Sequence, residues 1–281
     1  MIQRILTALV LIPLVLLLIL RAPIWMLAIV AGSVALLAIR EFLELTRKYG
    51  GEPSRCAIYV TAGFFLAVAY LVRKSPTKFG LELVSIALIT VAMMSIMPFI
   101  LLAIGMRRSD LGSTYPTAAA GVFALAYIAL PMSLLVHIGA MDNQGGRRLI
   151  FLMIVVWSGD IVAYFVGKSM GRHKMSPRIS PNKTWEGAVA SILASSIFGA
   201  LFYQYAIAEN AHRMPLAGIV LLCIVLNIAA QLGDLVESAI KRGADVKDSG
   251  SILPGHGGML DRIDAMLFAA PVLWLYLFWP G

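Results

Sequence analysis

Near its start the chain carries an apolar stretch, residues 5–39, that reads ILTALVLIPLVLLLILRAPIWMLAIVAGSVALLAI. Arg21 is its single charged residue and separates two apolar runs, Ile5–Leu20 and Pro23–Ile39. A helix needs about 20 predominantly apolar residues, with a range of about 17–25, to cross a bilayer. No small-residue A-x-A cleavage site lies between the runs, so we interpret the first as a retained span and not as a signal peptide. The stretch therefore predicts two consecutive transmembrane helices.

The whole chain has the composition of a membrane protein. Of its 281 residues, 60% are hydrophobic and 14% are charged, and its mean hydropathy is +0.86. Soluble domains carry about 25% charged and roughly 45–50% apolar residues. A water-soluble fold, a disordered chain and a nucleic-acid-binding domain are therefore excluded. The sequence predicts an all-α, polytopic integral membrane protein with about nine transmembrane helices. Their approximate cores are Ile5–Leu20, Pro23–Ile39, Ala57–Val72, Leu81–Ile104, Ala118–Ala140, Leu149–Val166, Gly187–Ala208, Pro215–Gln231 and Ile263–Trp279.

Basic residues are distributed unequally between the predicted loops. With a cytoplasmic N-terminus, 16 of the 23 lysine and arginine residues fall in inside segments and 7 in outside segments. Because basic loops favour the cytoplasmic side, we predict a cytoplasmic N-terminus and an external C-terminus. Segments 167–186 and 241–262 are then cytoplasmic loops. We expect residues 1–115 to form a transmembrane scaffold and residues 116–281 to form the catalytic region.

Acidic residues are the rarer charge, and their positions are more informative. Six of the 15 fall between positions 234 and 264, whereas the acids of the first half, such as Glu41, Glu44 and Glu52, are expected to be solvated helix ends with a structural role. Asp234 belongs to a polar stripe with the spacing of one helical face. The stripe comprises Asn227, Gln231, Asp234, Ser238 and Lys241. A carboxylate near membrane depth usually faces a cavity or a partner, and the alternative for Asp234 is an intramembrane salt bridge or an interhelical polar contact.

A glycine-rich loop follows this stripe and leads to two further carboxylates. Asp261 and Asp264 are three residues apart and share a face of a first helical turn. We expect Asp234 to converge with them around a cation, for which Mg²⁺ is the best candidate because it binds one or two carboxylates together with substrate phosphates. Loop glycines allow backbone N–H groups to approach a phosphate. The loop residue His256 is a candidate to orient a phosphate. Further candidates for contacts with phosphate oxygens are Lys241, Arg242, Lys247 and Arg262.

A second polar cluster precedes this region. Asp160 lies inside the sixth predicted span, and a basic loop with two Ser-Pro pairs, at Ser176 and Ser180, follows it. Five basic residues in the loop are candidates to hold substrate phosphates, and Lys183 is the last of them. The alternative is a basic loop that contacts anionic lipid headgroups. Together, the two clusters indicate metal-assisted phosphoryl or nucleotidyl transfer at the cytoplasmic face.

Three motifs in the second half carry a family resemblance. Residues 238–264 read SAIKRGADVKDSGSILPGHGGMLDRID, and two further stretches upstream read DIVAYFVGK (residues 160–168) and SPRISPNKTWEG (residues 176–187). This combination resembles the phosphatidate cytidylyltransferases, or CDP-diacylglycerol synthases. The first half is similar only as a multi-span hydrophobic region.

The resemblance implies a reaction, a set of site residues and a location. CTP and phosphatidate would give CDP-diacylglycerol and pyrophosphate at the cytoplasmic face of a bacterial-type inner membrane. It implies Mg²⁺, or another divalent or an additional monovalent cation, as the cofactor, and membrane lipid but no nucleic acid as a partner. Small residues in the spans also permit a homodimer. The implied metal-binding residues are Asp234, Asp261 and Asp264, which are catalytic together with Lys241. The implied substrate-binding residues are Asp160, Ser176, Ser180, Lys183, Ser238, Arg242, Lys247, His256 and Arg262.

Two other functions remain open at this point. A CTP-dependent polyprenol kinase would transfer the terminal phosphoryl group and release CDP instead of pyrophosphate. An ion-coupled transporter would use the acids near the membrane, although the chain lacks the paired repeats that are common in transporters.

Overall fold

The computed structural model describes residues 2–72, 79–107, 110–207, 215–252 and 257–278. Within these ranges the chain is almost entirely helical. The helices are α1 (Ile2–Arg21), α2 (Ile24–Thr46), α3 (Arg55–Leu71), α4 (Phe79–Gly105), α5 (Thr114–Ala124), α6 (Leu130–Ala140), α7 (Gly145–Met170), α8 (Trp185–Phe202), α9 (Leu216–Gly243) and α10 (Leu260–Phe278). Strands β1 (Lys174–Ser176) and β2 (Ser180–Thr184) lie between α7 and α8. Single π-helical turns continue α5 into α6 at Leu125–Ala129 and extend α8 at Tyr203–Ile207.

The fold class that the sequence predicts is confirmed. Each of the nine predicted apolar runs overlaps helical structure. Six helical segments of the described residues are long and apolar enough to cross a membrane, so the protein is an all-α polytopic membrane protein. They are Ile24–Tyr49, Ala87–Gly105, Leu111–Ala140, Gly145–Met170, Trp185–Ile207 and Leu216–Gly243. The count of nine spans and their orientation stay predictions.

The chain divides into two compact units. Unit 1 comprises Met1–Met141 together with Ala244–Arg262, and unit 2 comprises Asp142–Gly243 together with Ile263–Gly281. The boundaries of these compact units differ from the functional boundary predicted between residues 115 and 116. The functional boundary stays a prediction. Residues 241–243 belong to α9 and residues 260–262 to α10, so the connection between these helices is shorter than the predicted loop.

Unit 1 has an apolar core in which α2, α3 and α6 pack together. Phe42 of α2 stacks on Phe123 of α5, with 5.6 Å between the ring centroids, and Tyr127 completes the aromatic group. Ala38 of α2 and Ile58 of α3 are fully buried in this core. Close packing here fixes the C-terminal part of α2, which carries the buried carboxylate of Glu41.

Unit 2 is built on α7, α8 and α9, which pack at small residues. A Cβ atom on Gly199 of α8 would lie 2.6 Å from Cys223 Sγ on α9 and 2.8 Å from a methyl group of Val155 on α7. A Cβ atom on Gly187 would lie 2.9 Å from the carbonyl oxygen of Ala163. Small residues let helix backbones approach closely, which is a common way of packing helices in membranes.

The β-hairpin between α7 and α8 was not expected, since this segment was predicted only to be a basic cytoplasmic loop. Ser176 and Ser180 pair across the antiparallel strands, and each precedes a proline. Thr184 ends the hairpin and begins α8, where its Oγ1 accepts a hydrogen bond from the backbone N–H of Gly187, as an N-cap residue does. His173 Nδ1 lies 2.6 Å from Glu186 Oε1 and joins the start of the hairpin to α8.

Candidate active site

A cavity of about 360 Å³ opens in unit 2 between α7, the hairpin, α8 and α9. Polar side chains from all four elements line its wall. The lining residues are Asp160, Ala163, Tyr164, Met175, Asn182, Lys183, Thr184, Gly187, Ala188, Ser191, Gln231 and Asp234. The structure therefore brings three of the predicted site residues to one cavity: Asp160, Lys183 and Asp234.

An ion pair between the hairpin and α9 forms part of this cavity. Lys183 Nζ lies 2.7 Å from Asp234 Oδ2, and the two side chains are 25% and 39% exposed. The Ser238 hydroxyl donates to Asp234 Oδ1 at 3.3 Å, and Asp160 lies within electrostatic range of both Lys183 and Asp234. The salt bridge considered as the alternative for Asp234 is thus present. Because both partners line a cavity, the pair is accessible to a ligand and is not a sealed structural contact.

Asp264 on α10 belongs to the same group of charges. Gly233 of α9 makes this possible, because a Cβ atom there would lie 2.5 Å from the backbone oxygen of Asp264. The Asp264 side chain is buried, within electrostatic range of Asp234 and Asp160. Asp234 and Asp264 therefore belong to one group of charges within unit 2, whereas the predicted convergence of Asp234 with both Asp261 and Asp264 stays a prediction.

Lys241, which was predicted to contact a phosphate, pairs with a neighbour on α9. Its Nζ lies 2.5 Å from Glu237 Oε2, and the side chains of Lys241 and Glu237 are 12% and 1% exposed. Arg242 is exposed, and its Nε donates at 3.3 Å to the carbonyl oxygen of Ile179 in the hairpin turn. Both basic residues thus have partners within unit 2, and Arg242 connects the end of α9 to the hairpin.

A buried polar network continues from the cavity into the helix bundle. Gln231 Nε2 donates to Asn227 Oδ1 at 2.6 Å and to the Ala188 carbonyl oxygen at 3.3 Å. Asn227 Nδ2 in turn donates to the hydroxyl oxygens of Ser191 and Ser195 at 2.9 and 2.7 Å. These bonds give hydrogen-bond partners to Asn227 and Gln231, two of the five residues of the stripe predicted on α9, and Gln231 and Ser191 also line the cavity.

None of the remaining predicted site residues is among the described residues that line the cavity. Ser176 and Ser180 are half-buried in the hairpin and are not among the described residues that line the cavity. Lys247 and Arg262 are exposed residues of unit 1, and His256 lies outside the described residues. Their substrate contacts stay predictions.

Asp261 of unit 1 is held by the loop that precedes α10. Its Oδ2 accepts hydrogen bonds from the backbone N–H groups of Ser249 and Gly258, at 2.9 and 2.8 Å, and from the Ser249 hydroxyl at 3.0 Å. The same hydroxyl lies 3.0 Å from Glu41 Oε2 on α2. Glu41 is 2% exposed, so the expectation that it is a solvated helix end is wrong, whereas Glu44 and Glu52, at 44% and 62%, are solvated as expected.

Within the described residues, no group of three or more His, Cys, Asp and Glu side chains is arranged to hold a metal ion. The carboxylates of unit 2 are close enough to interact electrostatically but do not form a closed set of ligands. Mg²⁺ needs only one or two carboxylates when substrate phosphates and water supply the other positions. Asp234 and Asp264 therefore suit a site that is completed by a substrate.

The sequence matches a known protein family over almost its whole length. The model of the Cytidylyltransferase family matches residues 2–279. The chain belongs to this family. The resemblance that the signature motifs indicate is therefore confirmed over almost the whole chain, including the first half, where the motifs are absent.

Individual relatives agree with the family. The chain is 43% identical over 169 residues to the phosphatidate cytidylyltransferase of Bacillus subtilis (strain 168), which covers 59% of this chain and 61% of that protein. It is also 43% identical to that of Brucella abortus biovar 1 (strain 9-941), over 56% of each chain. The aligned part of the chain thus spans less than two thirds of these two relatives. A protein of the same name from Staphylococcus aureus (strain COL) is 35% identical over 88% of each chain.

Two buried or paired carboxylates, one in each unit, were missed from the sequence. Glu41 stands just beyond a predicted span, and a carboxylate so close to an apolar run was a usable signal. Glu186, which pairs with His173, follows the N-cap residue Thr184 of α8 and had no comparable signal.

Proposed function

We propose that the protein transfers the cytidylyl group of CTP to phosphatidate. A phosphate oxygen of phosphatidate forms a bond to the α-phosphorus of CTP, and the bond from that phosphorus to the bridging oxygen of the β-phosphate breaks. The products are CDP-diacylglycerol and pyrophosphate. The nucleophile is already an anion, so the reaction needs no strong general base.

The observation that carries this proposal is the pairing of Lys183 and Asp234 in the wall of a cavity between membrane helices. A bundle of apolar helices that surrounds a polar cavity can bring a lipid headgroup and a charged nucleotide together, because intramembrane charges face cavities and mark substrate sites. The relatives named phosphatidate cytidylyltransferase support CTP as the nucleotide and phosphatidate as the lipid.

The basic residues would hold phosphate groups. Lys183 can exchange its contact with Asp234 for a substrate oxygen, and the ammonium group remains in the cavity in either case. Arg242 lies at the hairpin turn and Lys241 is held by Glu237, so both are candidate phosphate contacts. Asp160, Gln231 and the Ser238 hydroxyl would orient the substrates in the cavity. Lys247, Arg262, His256, Ser176 and Ser180 stay candidates on the signature and the loop sequence alone.

The carboxylates fit a divalent cation by their chemistry. Asp160, Asp234 and Asp264 lie within electrostatic range of one another and repel, which a cation would relieve. Their oxygen atoms are the ligands that Mg²⁺ prefers. We propose Asp234 and Asp264 as ligands, and Asp261 on the signature alone. A bound Mg²⁺ would neutralise charge on the triphosphate and on the departing pyrophosphate.

Location and assembly complete the proposal. The distribution of basic residues supports an inner-membrane enzyme with its active site facing the cytoplasm. A homodimer is compatible with the small residues in the spans.

The proposal is tested by incubating the purified protein with CTP, phosphatidate and Mg²⁺. We expect CDP-diacylglycerol and pyrophosphate in equal amounts. Release of CDP with a phosphorylated lipid would identify a kinase. Ion flux in liposomes without any CTP turnover would identify a transporter, and absence of both products with several divalent metals would refute the proposal.

A further inference from the structure

The loop that leads into α10 is attached to α2 of unit 1 through one buried carboxylate, Glu41. Glu41 Oε1 accepts a hydrogen bond from the backbone N–H of Met259, and Oε2 accepts one from the backbone N–H of Leu260, both at 2.9 Å. The first N–H groups of a helix have no partner inside the helix, so an acidic side chain from elsewhere is a favourable cap. Glu41 therefore caps α10 from a distant part of the chain.

The same carboxylate is connected to Asp261. The Ser249 hydroxyl lies 3.0 Å from Glu41 Oε2 and 3.0 Å from Asp261 Oδ2, and Ser249 is buried. Asp261 Oδ2 also accepts the N–H groups of Ser249 and Gly258. Glu41 thus holds the end of the loop through backbone donors at the start of α10. Asp261 holds the loop through the backbone donors of Ser249 and Gly258, which flank the segment 250–257.

The contact of the loop with Glu41 explains two glycines of the motif at residues 238–264. A Cβ atom on Gly250 would lie 2.5 Å from Glu41 Oε1. A Cβ atom on Gly258 would overlap both Glu41 Oε2 and the Ser249 hydroxyl oxygen. These positions need glycine because the Glu41 carboxylate occupies the space beside them, and that requirement is independent of any substrate.

We propose that Glu41 is a positioning residue for the loop between α9 and α10, so that the first half of the chain contributes to turnover through the position of Asp261. Glu41 does not act on the substrate itself. It fixes Met259 and Leu260 at the start of α10 and, through Ser249, the orientation of the Asp261 carboxylate. The inference rests on the proposed function, because Asp261 matters for turnover only if the protein is the proposed transferase.

The chain offers a matched control on the same helix. Glu44 lies one turn beyond Glu41, is 44% exposed, and pairs with Arg40 at 3.1 Å and with Arg55 at 3.7 Å. Glu44→Gln makes the same chemical change as Glu41→Gln but disturbs only surface ion pairs, which contribute little. In Glu41→Gln, the side-chain NH₂ would face a backbone N–H of Met259 or Leu260, so two donors would oppose each other. Glu41→Asp retains the charge with a shorter reach and is expected to recover part of the activity.

The test combines kinetics with hydrogen–deuterium exchange on the purified full-length protein. For Glu41→Gln we expect kcat to fall about 10–100-fold, as for partners that orient a ligand from outside, with little change in KM for CTP. We also expect faster amide exchange at Met259 and Leu260. Glu44→Gln should match the unsubstituted protein in both measurements.

Each outcome decides the proposal. Unchanged exchange in Glu41→Gln would overturn it, and so would faster exchange with unchanged kcat. If Glu41→Gln does not fold, Ser249→Ala is used instead. Loss of the hydroxyl link should then lower kcat and speed exchange in the loop, and no change in either quantity would refute the inference. If the unsubstituted protein makes no CDP-diacylglycerol, the proposed function fails, while the exchange measurement still tests whether Glu41 holds the loop.

Discussion

Replacement of Lys183 by methionine tests whether the Lys183–Asp234 pair acts in substrate binding or only in structure. Methionine keeps an unbranched side chain of similar size and removes the ammonium group. The ion pair has 2.7 Å between Nζ and Oδ2, and its partners are 25% and 39% exposed. Pairs of this exposure contribute about 0.2–1 kcal/mol to stability, because solvent screens them. The unfolding midpoint should therefore fall only slightly.

The loss of activity should be much larger than the loss of stability. A hydrogen bond to a charged group contributes about 1.5–3 kcal/mol, and each 1.36 kcal/mol of transition-state stabilisation is tenfold in rate. If Lys183 holds a substrate phosphate, kcat/KM should fall about 10–150-fold. The remaining carboxylates, Asp160 and Asp234, would also repel the anionic substrates when this positive charge is lost. Lys183→Arg retains the charge and should recover part of the activity.

The assay is the initial rate of CDP-diacylglycerol formation at varied CTP and varied phosphatidate, with thermal unfolding measured in the same detergent. Lys174→Met, on the same hairpin but outside the lining of the cavity, separates the two interpretations of the basic loop. We expect a small effect there. Equal losses for Lys174→Met and Lys183→Met would support general attraction to anionic headgroups. An unchanged kcat/KM in Lys183→Met would refute the assignment of Lys183 to the substrate.

Three further predictions concern the carboxylates and the helix packing around them. Asp261→Asn should abolish Mg²⁺-dependent transfer while membrane insertion, followed by fractionation, stays intact; near-normal turnover of the purified variant would contradict its assignment. Gly233→Ala should lower the free energy of unfolding by about 1–3 kcal/mol, because the new methyl group meets the backbone of Asp264. Gly63→Ala is the control, because a Cβ atom at Gly63 meets open space. Equal unfolding midpoints for the two variants would show that α9 and α10 do not pack closely at Gly233. Removal of divalent cations with a chelator should stop product formation, and added Mg²⁺ should restore it; transfer that persists in the chelator would exclude the proposed cation.

The sequence was sufficient to predict the fold class and part of the site. Hydrophobic runs of bilayer length determine membrane helices almost by themselves, because lipid offers the backbone no other hydrogen-bond partner. The 3–4 spacing of the stripe on α9 predicted that Asn227, Asp234 and Lys241 share a helical face, since this periodicity is a local property. The pairing of Lys183 with Asp234 needed the fold, because 50 intervening residues separate them and only the packing of the hairpin against α9 brings them together.

The β-hairpin and the partners of Glu41 could not be predicted, for two different reasons. Proline and serine in the segment 176–181 favour turns, but they do not specify a pairing of Ser176 with Ser180, which depends on the neighbouring helices. Glu41 looked like the end of a solvated helix because its partners, Met259 and Leu260, are more than 200 positions away. The carboxylate oxygens of Glu41 accept hydrogen bonds from backbone N–H groups, which every residue except proline carries. The sequence therefore contains no complementary side chain that would indicate these partners.

The glycines of the loop show how the same residues can support two explanations. From the sequence, these glycines predicted a backbone that approaches a phosphate, so that substrate binding would explain why glycine occupies these positions. In the structure, Gly250 and Gly258 pack against the Glu41 carboxylate of the same chain. A glycine required for internal packing is required with or without substrate, so substitution there should destabilise the loop even in the unliganded protein. A glycine required only for phosphate should affect KM for CTP and leave the unliganded loop unchanged. Amide exchange of Gly258→Ala without nucleotide therefore separates the two, and faster exchange in the loop is the outcome expected from the contact with Glu41.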